Sequence, residues 1–297
     1  MYIEARGKRK MRKFYLVRSY RQGQKVRKDR IYLGTNLGKE ELALKREVAR
    51  KQLENRERLA GQWEIAFGRV EADVRKARMG KKELEQFVVD FTYNSNAIEG
   101  SSITRREAEN IVKNNLWPDK PKEDIAETYG VARAARMLSE TEVHLSLPLM
   151  LELHKAAFRN SKSFAGKLRR VGVVVKNRQG EIVHRGAPWS QVKGLLLGLV
   201  EWYNNNRERL HPLVLAAVVH CQCENIHPFR DGTGRVGRLL MNNILLKNGL
   251  PPVVIPYRKR HVYYAALHAY ESRYGVAPMV RFLEREMAGE WERKGEK

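Results

Sequence analysis

Residues 227–238 read His227-Pro228-Phe229-Arg230-Asp231-Gly232-Thr233-Gly234-Arg235-Val236-Gly237-Arg238. Apolar residues recur at helical spacing on both sides, over 212–225 and 235–247, so this stretch is expected to join two helices through a tight loop. Gly232 and Gly234 let the backbone turn closely and present its N–H groups. Those donors lie just before a helix N-terminus, where the macrodipole favours an anion. Arg235 and Arg238 stand three residues apart and so reach one helix face. With the glycine turn they describe a cradle for a polyphosphate. Asp231 offers a hard oxygen ligand at its edge, of the kind Mg²⁺ takes. His227, at the opposite end, is a candidate base near neutral pH. Singly, each feature has an ordinary structural reading: a core histidine, a turn, a solvated arginine. Their concentration in twelve residues favours chemistry.

Working outward, the pattern is mainly α. Val88, Phe91, Ser95 and Ile98 mark one helix face that stops at Gly100. Thr104 with Glu107 predicts a capping box, and Ser146 with Pro148 opens a later helix. Further helices are expected over 122–138, 191–205, 261–273 and 278–287. Residues 171–185 break the pattern: Val171 to Val175 and Glu181 to His184 flank Asn177 to Gly180, a hairpin signal between helices. Phe14 to Val17 and Ile31 to Leu33, about the turn Gln22-Gly23-Gln24, predict a second hairpin near the N-terminus. The expected organisation is a basic β-hairpin appendage over 1–37, a helical linker or arm over 38–84, a main domain over 85–290, and a charged tail over 291–297.

The chain of 297 residues carries a formal charge of +23, which favours polyanionic partners. Residues 1–35 hold twelve lysines and arginines against Glu4 and Asp29, so the N-terminal hairpin is a candidate contact for nucleic acid. The alternative is a solvated or dimer-forming appendage. Cys221 and Cys223, two apart on a helix, point in different directions and are expected to be free, which suits a reducing compartment. Met1 to Arg30 lacks an apolar core and no run of about 18 apolar residues occurs, so a soluble, cytoplasmic protein without membrane attachment is expected.

The string HPFRDGTGRVGR resembles the Fic signature H-P-F-x-[D/E]-G-N-G-R-x-x-R, and the resemblance runs through HPLVLAAVVHCQCENI upstream and LLMNNILLKNGLPPVVI downstream, covering roughly residues 85–290. It implies a Fic-type helical core and a protein adenylyltransferase. His227 would deprotonate an exposed Ser, Thr or Tyr hydroxyl of a target protein, or of the chain itself. The oxygen would attack the α-phosphate of ATP, with Mg²⁺ or Mn²⁺ at Asp231. Gly232, Thr233, Gly234, Arg235 and Arg238 would bind phosphate, and Phe229 would anchor the loop. Thr233 stands where the family has Asn, which shortens or removes a side-chain contact to phosphate. Ser95-Asn96-Ala97-Ile98-Glu99-Gly100 resembles the family's inhibitory motif, in a helix near 85–100, and implies that Glu99 pairs with Arg238 to block the γ-phosphate. The hairpin with Ile182, Val183 and His184 looks like the family's flap, which holds a target by strand pairing. Tyr263 and Tyr264 fall where relatives line the adenine pocket, and Glu271 where some carry Asn. Homodimerisation is a further implication. Three other readings stay open: removal of AMP, use of another nucleotide, and a nucleic-acid-binding regulator with a catalytically weak core.

Overall fold

Helix starts fall where capping chemistry puts them. Thr104 accepts the Glu107 amide at 3.3 Å while the Glu107 carboxylate accepts the Thr104 amide at 2.8 Å, the reciprocal capping box expected. Ser146 accepts the Leu149 amide at 3.2 Å, with Pro148 in the first turn where its missing N–H costs nothing. The computed structural model describes residues 1–7, 11–22, 25–47, 49–50, 80–176, 179–273 and 275–295; the side chains of 20–22, 25–27, 29, 176, 271–273 and 289–295 fall outside that description. Residues 51–79 of the arm expected over 38–84, the Glu271 side chain and the side chains of the 291–297 tail therefore lie outside the described residues.

The chain divides into two compact units, Met1–Ala66 and Phe67–Lys297. The larger is mainly α. Its helices are α1 (Lys81–Ile98), α2 (Arg105–Asn114), α3 (Lys122–Glu140), α4 (Leu147–Phe158), α5 (Trp189–Asn206), α6 (Pro212–Ile226), α7 (Thr233–Lys247), α8 (Arg260–Arg273) and α9 (Ala277–Gly295). Helices α6 and α7 pack along each other, and α3 packs on α1, α4 and α7. Leu215, Ala216, Val219, Leu239, Leu240 and Ile244 are fully buried between them. Each such Leu, Ile or Val contributes about 1.5–3 kcal/mol by leaving water. At the α3–α4 crossing a Cβ on Gly130 would lie 1.9 Å from the Ala157 carbonyl oxygen, so only glycine permits the approach. Among the described residues, no helix is long and apolar enough to cross a membrane.

Between α4 and α5 lie the paired strands Val174–Lys176 and Ile182–Arg185, with a register irregularity between Val175 and Lys176. This is the hairpin expected at 171–185.

The smaller unit contains the expected N-terminal hairpin, β2 (Lys13–Gln22) with β3 (Lys25–Thr35), and one strand more than expected, β1 (Tyr2–Arg6), on the other edge of β2. The sequence Tyr2-Ile3-Glu4-Ala5-Arg6 is short and half charged, too weak a signal by itself. Leu16, Leu33 and Ala49 form this unit's small core, with Ile3, Phe14, Ile31, Leu37 and Leu42 packed against it. One face of the sheet is thereby covered.

Candidate active site

The loop between α6 and α7 owes its shape to three local decisions. Helix α6 ends at His227, whose backbone is left-handed at φ 51°. That conformation is uncommon for any residue with a Cβ. Arg169, only 4 % exposed, secures it: its guanidinium donates to the carbonyls of His227 (2.5 Å), Val171 (2.7 Å), Ile226 (3.2 Å) and Ala187. One buried side chain thus ties the loop to both ends of the flap hairpin. Second, Phe229 is fully buried and stacks on His154 with centroids 3.9 Å apart and planes 8° from parallel. His154 donates from Nε2 to the Asp231 carbonyl (3.0 Å) and accepts the Gly166 amide on Nδ1 (2.8 Å), which fixes it as a neutral tautomer. Burial lowers its pKa to about 4. Third, Gly232 is left-handed at φ 82°, and a Cβ there would sit 2.4 Å from the Phe158 ring.

At the start of α7 the glycine turn is occupied by a carboxylate. A Cβ on Gly234 would lie 2.4 Å from Oε1 of Glu99, so the acid rests directly on the turn. Arg238, 2 % exposed, donates to the same oxygen at 2.6 Å, to Ser95 Oγ at 2.9 Å, to the Ser95 carbonyl at 3.0 Å and to the Tyr263 hydroxyl at 3.3 Å. Helix α1 therefore delivers both Ser95 and Glu99 to one guanidinium. The niche between Gly234 and Arg238 holds an oxyanion, as the helix dipole and the arginine dictate.

Beside it, the His227 ring is half-buried, 6.1 Å from the His184 ring, and its Nδ1 is buried with no hydrogen-bond partner among the described residues. Burial, then His184 and Arg169, lower its pKa to about 4, so the ring is neutral at neutral pH. Burial works against the Asp231 carboxylate, but Lys162 (2.8 Å) and Arg235 (3.2 Å) outweigh it and hold its pKa below the ordinary value. A neutral imidazole, an oxyanion niche and an anchored carboxylate thus line one loop.

The Fic/DOC family pattern matches residues 144–245, which include this loop. The chain contains a Fic domain. Over 213 residues it is 30 % identical to "Protein adenylyltransferase Fic" of Nematostella vectensis, covering 69 % of this chain and 48 % of that protein. It is also 30 % identical to "Protein adenylyltransferase fic-1" of Caenorhabditis elegans, covering 65 % of this chain and 38 % of that one. The chain thus spans about half or less of the length of these curated relatives. Among solved structures, a Fic domain containing signaling protein from Bacteroides thetaiotaomicron superposes with a TM-score of 0.62 at 25 % identity, over 68 % of this chain and 83 % of that one. Fic-1 from C. elegans superposes with a TM-score of 0.67 at 23 % identity, over 87 % and 77 %, and shares the fold.

Within the Fic domain, the residues expected to act together are brought together with two differences. Arg235 and Arg238 do not share partners. Arg235 turns toward Glu127 and Asp231 and lies over the Phe158 ring, whereas Arg238 turns to Glu99. Positions three apart point about 60° apart around a helix, and each long side chain follows its nearest carboxylate. Thr233 is 1 % exposed, and its hydroxyl accepts the Phe229 amide at 3.3 Å; it serves the loop's own backbone. Tyr263 is buried, its hydroxyl 2.9 Å from His220 Nε2, while Tyr264 is 46 % exposed and donates to the Ile98 carbonyl at 3.2 Å. Ile182 and Val183 are exposed on the flap hairpin, and His184 Nε2 donates to the Asn225 carbonyl at 3.1 Å. Lys162, Glu127, Arg169, His154 and Glu224 were not singled out by sequence; none sits in a local pattern that announces it.

Proposed function

We propose that this chain is a protein adenylyltransferase held in check by its own Glu99. The observation that carries the proposal is the Glu99 carboxylate seated between the Gly234 turn and Arg238, next to a neutral histidine: the niche is built for an oxyanion, and a phosphate has the same needs. The similarity to relatives that are protein adenylyltransferases supports the same reaction.

In the proposed reaction ATP lies with its outer phosphates toward α7. The hydroxyl oxygen of a target Ser, Thr or Tyr bonds to the α-phosphorus, the bond from that phosphorus to the bridging oxygen breaks, and pyrophosphate leaves. The hydroxyl proton passes to His227, whose neutral form is the one able to take it. Arg238 and the amides at the start of α7 neutralise charge on the leaving phosphates, so catalysis is chiefly positioning and electrostatics. Asp231, whose Oδ2 already faces a cation, Lys162, is the carboxylate that would hold Mg²⁺, and the ion would supply neutralisation of phosphate charge. The flap holds the target segment by strand pairing, which asks little of its sequence. The buried free thiols Cys221 and Cys223 suit the cytoplasm.

Glu99 blocks this arrangement in two ways. It takes the guanidinium fork of Arg238, and it puts negative charge where a γ-phosphate belongs. A nucleotide then binds only with its α-phosphate out of line.

The test is incubation with nucleoside triphosphates labelled at the α-phosphate. ATP is expected to label wild type weakly and Glu99→Gly strongly, with loss in Glu99→Gly carrying His227→Ala. No label from ATP, GTP, CTP or UTP in either protein overturns the proposal. Labelling from GTP, CTP or UTP alone reassigns the nucleotide, and release of AMP from a modified protein by wild type replaces transfer with removal.

A further inference from the structure

The face of the N-terminal sheet opposite its small core takes no part in the reaction proposed above. Its composition follows from the register. Tyr2 pairs with Val17 and Val17 with Arg30; Glu4 pairs with Tyr15 and Tyr15 with Tyr32; Arg6 pairs with Lys13; Ser19 pairs with Lys28. Alternation puts all of these on the face away from Ile3, Leu16 and Ile31. On the central strand Val17 is fully buried, with Lys28–Tyr2 and Arg30–Glu4 reaching across it; around it the face is aromatic, with the Tyr15 and Tyr32 ring centroids 5.4 Å apart and Tyr2 and Tyr32 43 % and 46 % exposed. The surround is cationic. Arg6 lies over the Tyr15 ring at 5.8 Å and Lys28 over the Tyr2 ring at 6.0 Å. Glu4, paired with Arg6 and Arg30, is the one acid in these rows.

We infer that this face binds single-stranded nucleic acid, its tyrosines stacking on bases while Arg6, Lys13, Lys28 and Arg30 meet phosphates. Two arguments favour a single strand over a duplex. Exposed rings on the two outer strands, Tyr2 and Tyr32, offer base stacking, which is available only when bases are unpaired. A duplex is read through its major groove, which admits one helix or a two-stranded ribbon; three strands lying flat are wider than that, about 10 Å between outer strand axes before side chains are added. The four cations set the salt dependence, with each phosphate contact adding roughly 0.7 to the log–log slope for a single strand.

The experiment is fluorescence anisotropy of the full chain with labelled dT20, rU20 and a 20-base-pair duplex at several KCl concentrations. Binding of either single strand more tightly than the duplex is expected, and the preferred strand identifies the sugar. Tyr2→Ser with Tyr32→Ser should weaken single-strand binding by tenfold or more while leaving the salt slope unchanged. Arg6→Ala with Arg30→Ala should lower the slope by about 1 to 1.5. Circular dichroism of each variant checks that the sheet persists. Tighter duplex binding, no binding to any probe, or single-strand binding indifferent to both double substitutions overturns the inference. AMP transfer by the Glu99→Gly protein should be the same with and without these substitutions.

Discussion

Lys162 places its ammonium nitrogen 2.8 Å from Oδ2 of Asp231, 3.2 Å from Glu127 and against Glu123. With 18 % of its side chain exposed, it is a fixed cation on the carboxylate proposed to anchor Mg²⁺. A metal bound there would have to displace it. Lys162→Ala should lower the half-saturating Mg²⁺ for AMP transfer in the Glu99→Gly background, by roughly 3- to 10-fold for a partly buried pair near 1 kcal/mol. Mn²⁺ binding followed by electron paramagnetic resonance should tighten in parallel without any turnover. Unchanged metal affinity would show that the lysine yields without resistance.

The Glu99–Arg238 contact predicts a second outcome. A charge-assisted hydrogen bond at 2.6 Å, with the guanidinium buried and the Glu99 side chain 34 % exposed, is worth about 1.5–3 kcal/mol, toward the lower end because solvent screens the acid. Removing the carboxylate should therefore raise self-modification about 10- to 100-fold. Glu99→Gln, which keeps the shape and loses the charge, should fall between wild type and Glu99→Gly. Self-modification equal in all three proteins would count against a brake.

Thr233 separates loop stability from phosphate contact. Its hydroxyl is the acceptor for the buried Phe229 amide. Thr233→Val is nearly isosteric and should lose about 1–2 kcal/mol in urea unfolding, because that amide is left unpaired. Thr233→Ser should lose less. Equal stability of Val and wild type would mean the hydroxyl is idle.

Glu224 gives the site a pH signature. Burial raises its pKa to about 8, Arg238 opposing and Glu99 reinforcing. A carboxyl with a folded pKa above its unfolded value contributes stability in the protonated form. That contribution is complete below about pH 4.5 and is lost as pH climbs to about 8. Wild type should accordingly lose stability between pH 6 and 8 relative to Glu224→Gln, whose amide stays neutral throughout. Parallel unfolding midpoints across that range would place Glu224 in a wetter setting.

The loop was legible because its constraints are local. A left-handed glycine, an aromatic anchor and a helix start directly after the glycine each leave a mark within twelve residues. Helix α1 was equally legible, since Val88, Phe91, Ser95 and Ile98 all turn inward as their spacing requires. What escaped depends on distance along the chain. Glu127 meets Arg235 across 108 residues, and Arg169 grips carbonyls up to 58 residues away. A lone Lys or Arg in a basic chain carries no sign of such a partner. The divergence of Arg235 from Arg238 was hidden for the same reason, because helical spacing fixes where side chains start and tertiary carboxylates decide where they end.

His227 sits where glycine would be more comfortable. Its left-handed backbone is maintained by Arg169 and by burial of the ring as an uncharged species, both of which act against the relaxed chain. Replacing His227 with glycine would relieve strain of order 1 kcal/mol and remove the proposed base. Backbone cost and the ring proposed to take the proton thus meet in one torsion angle.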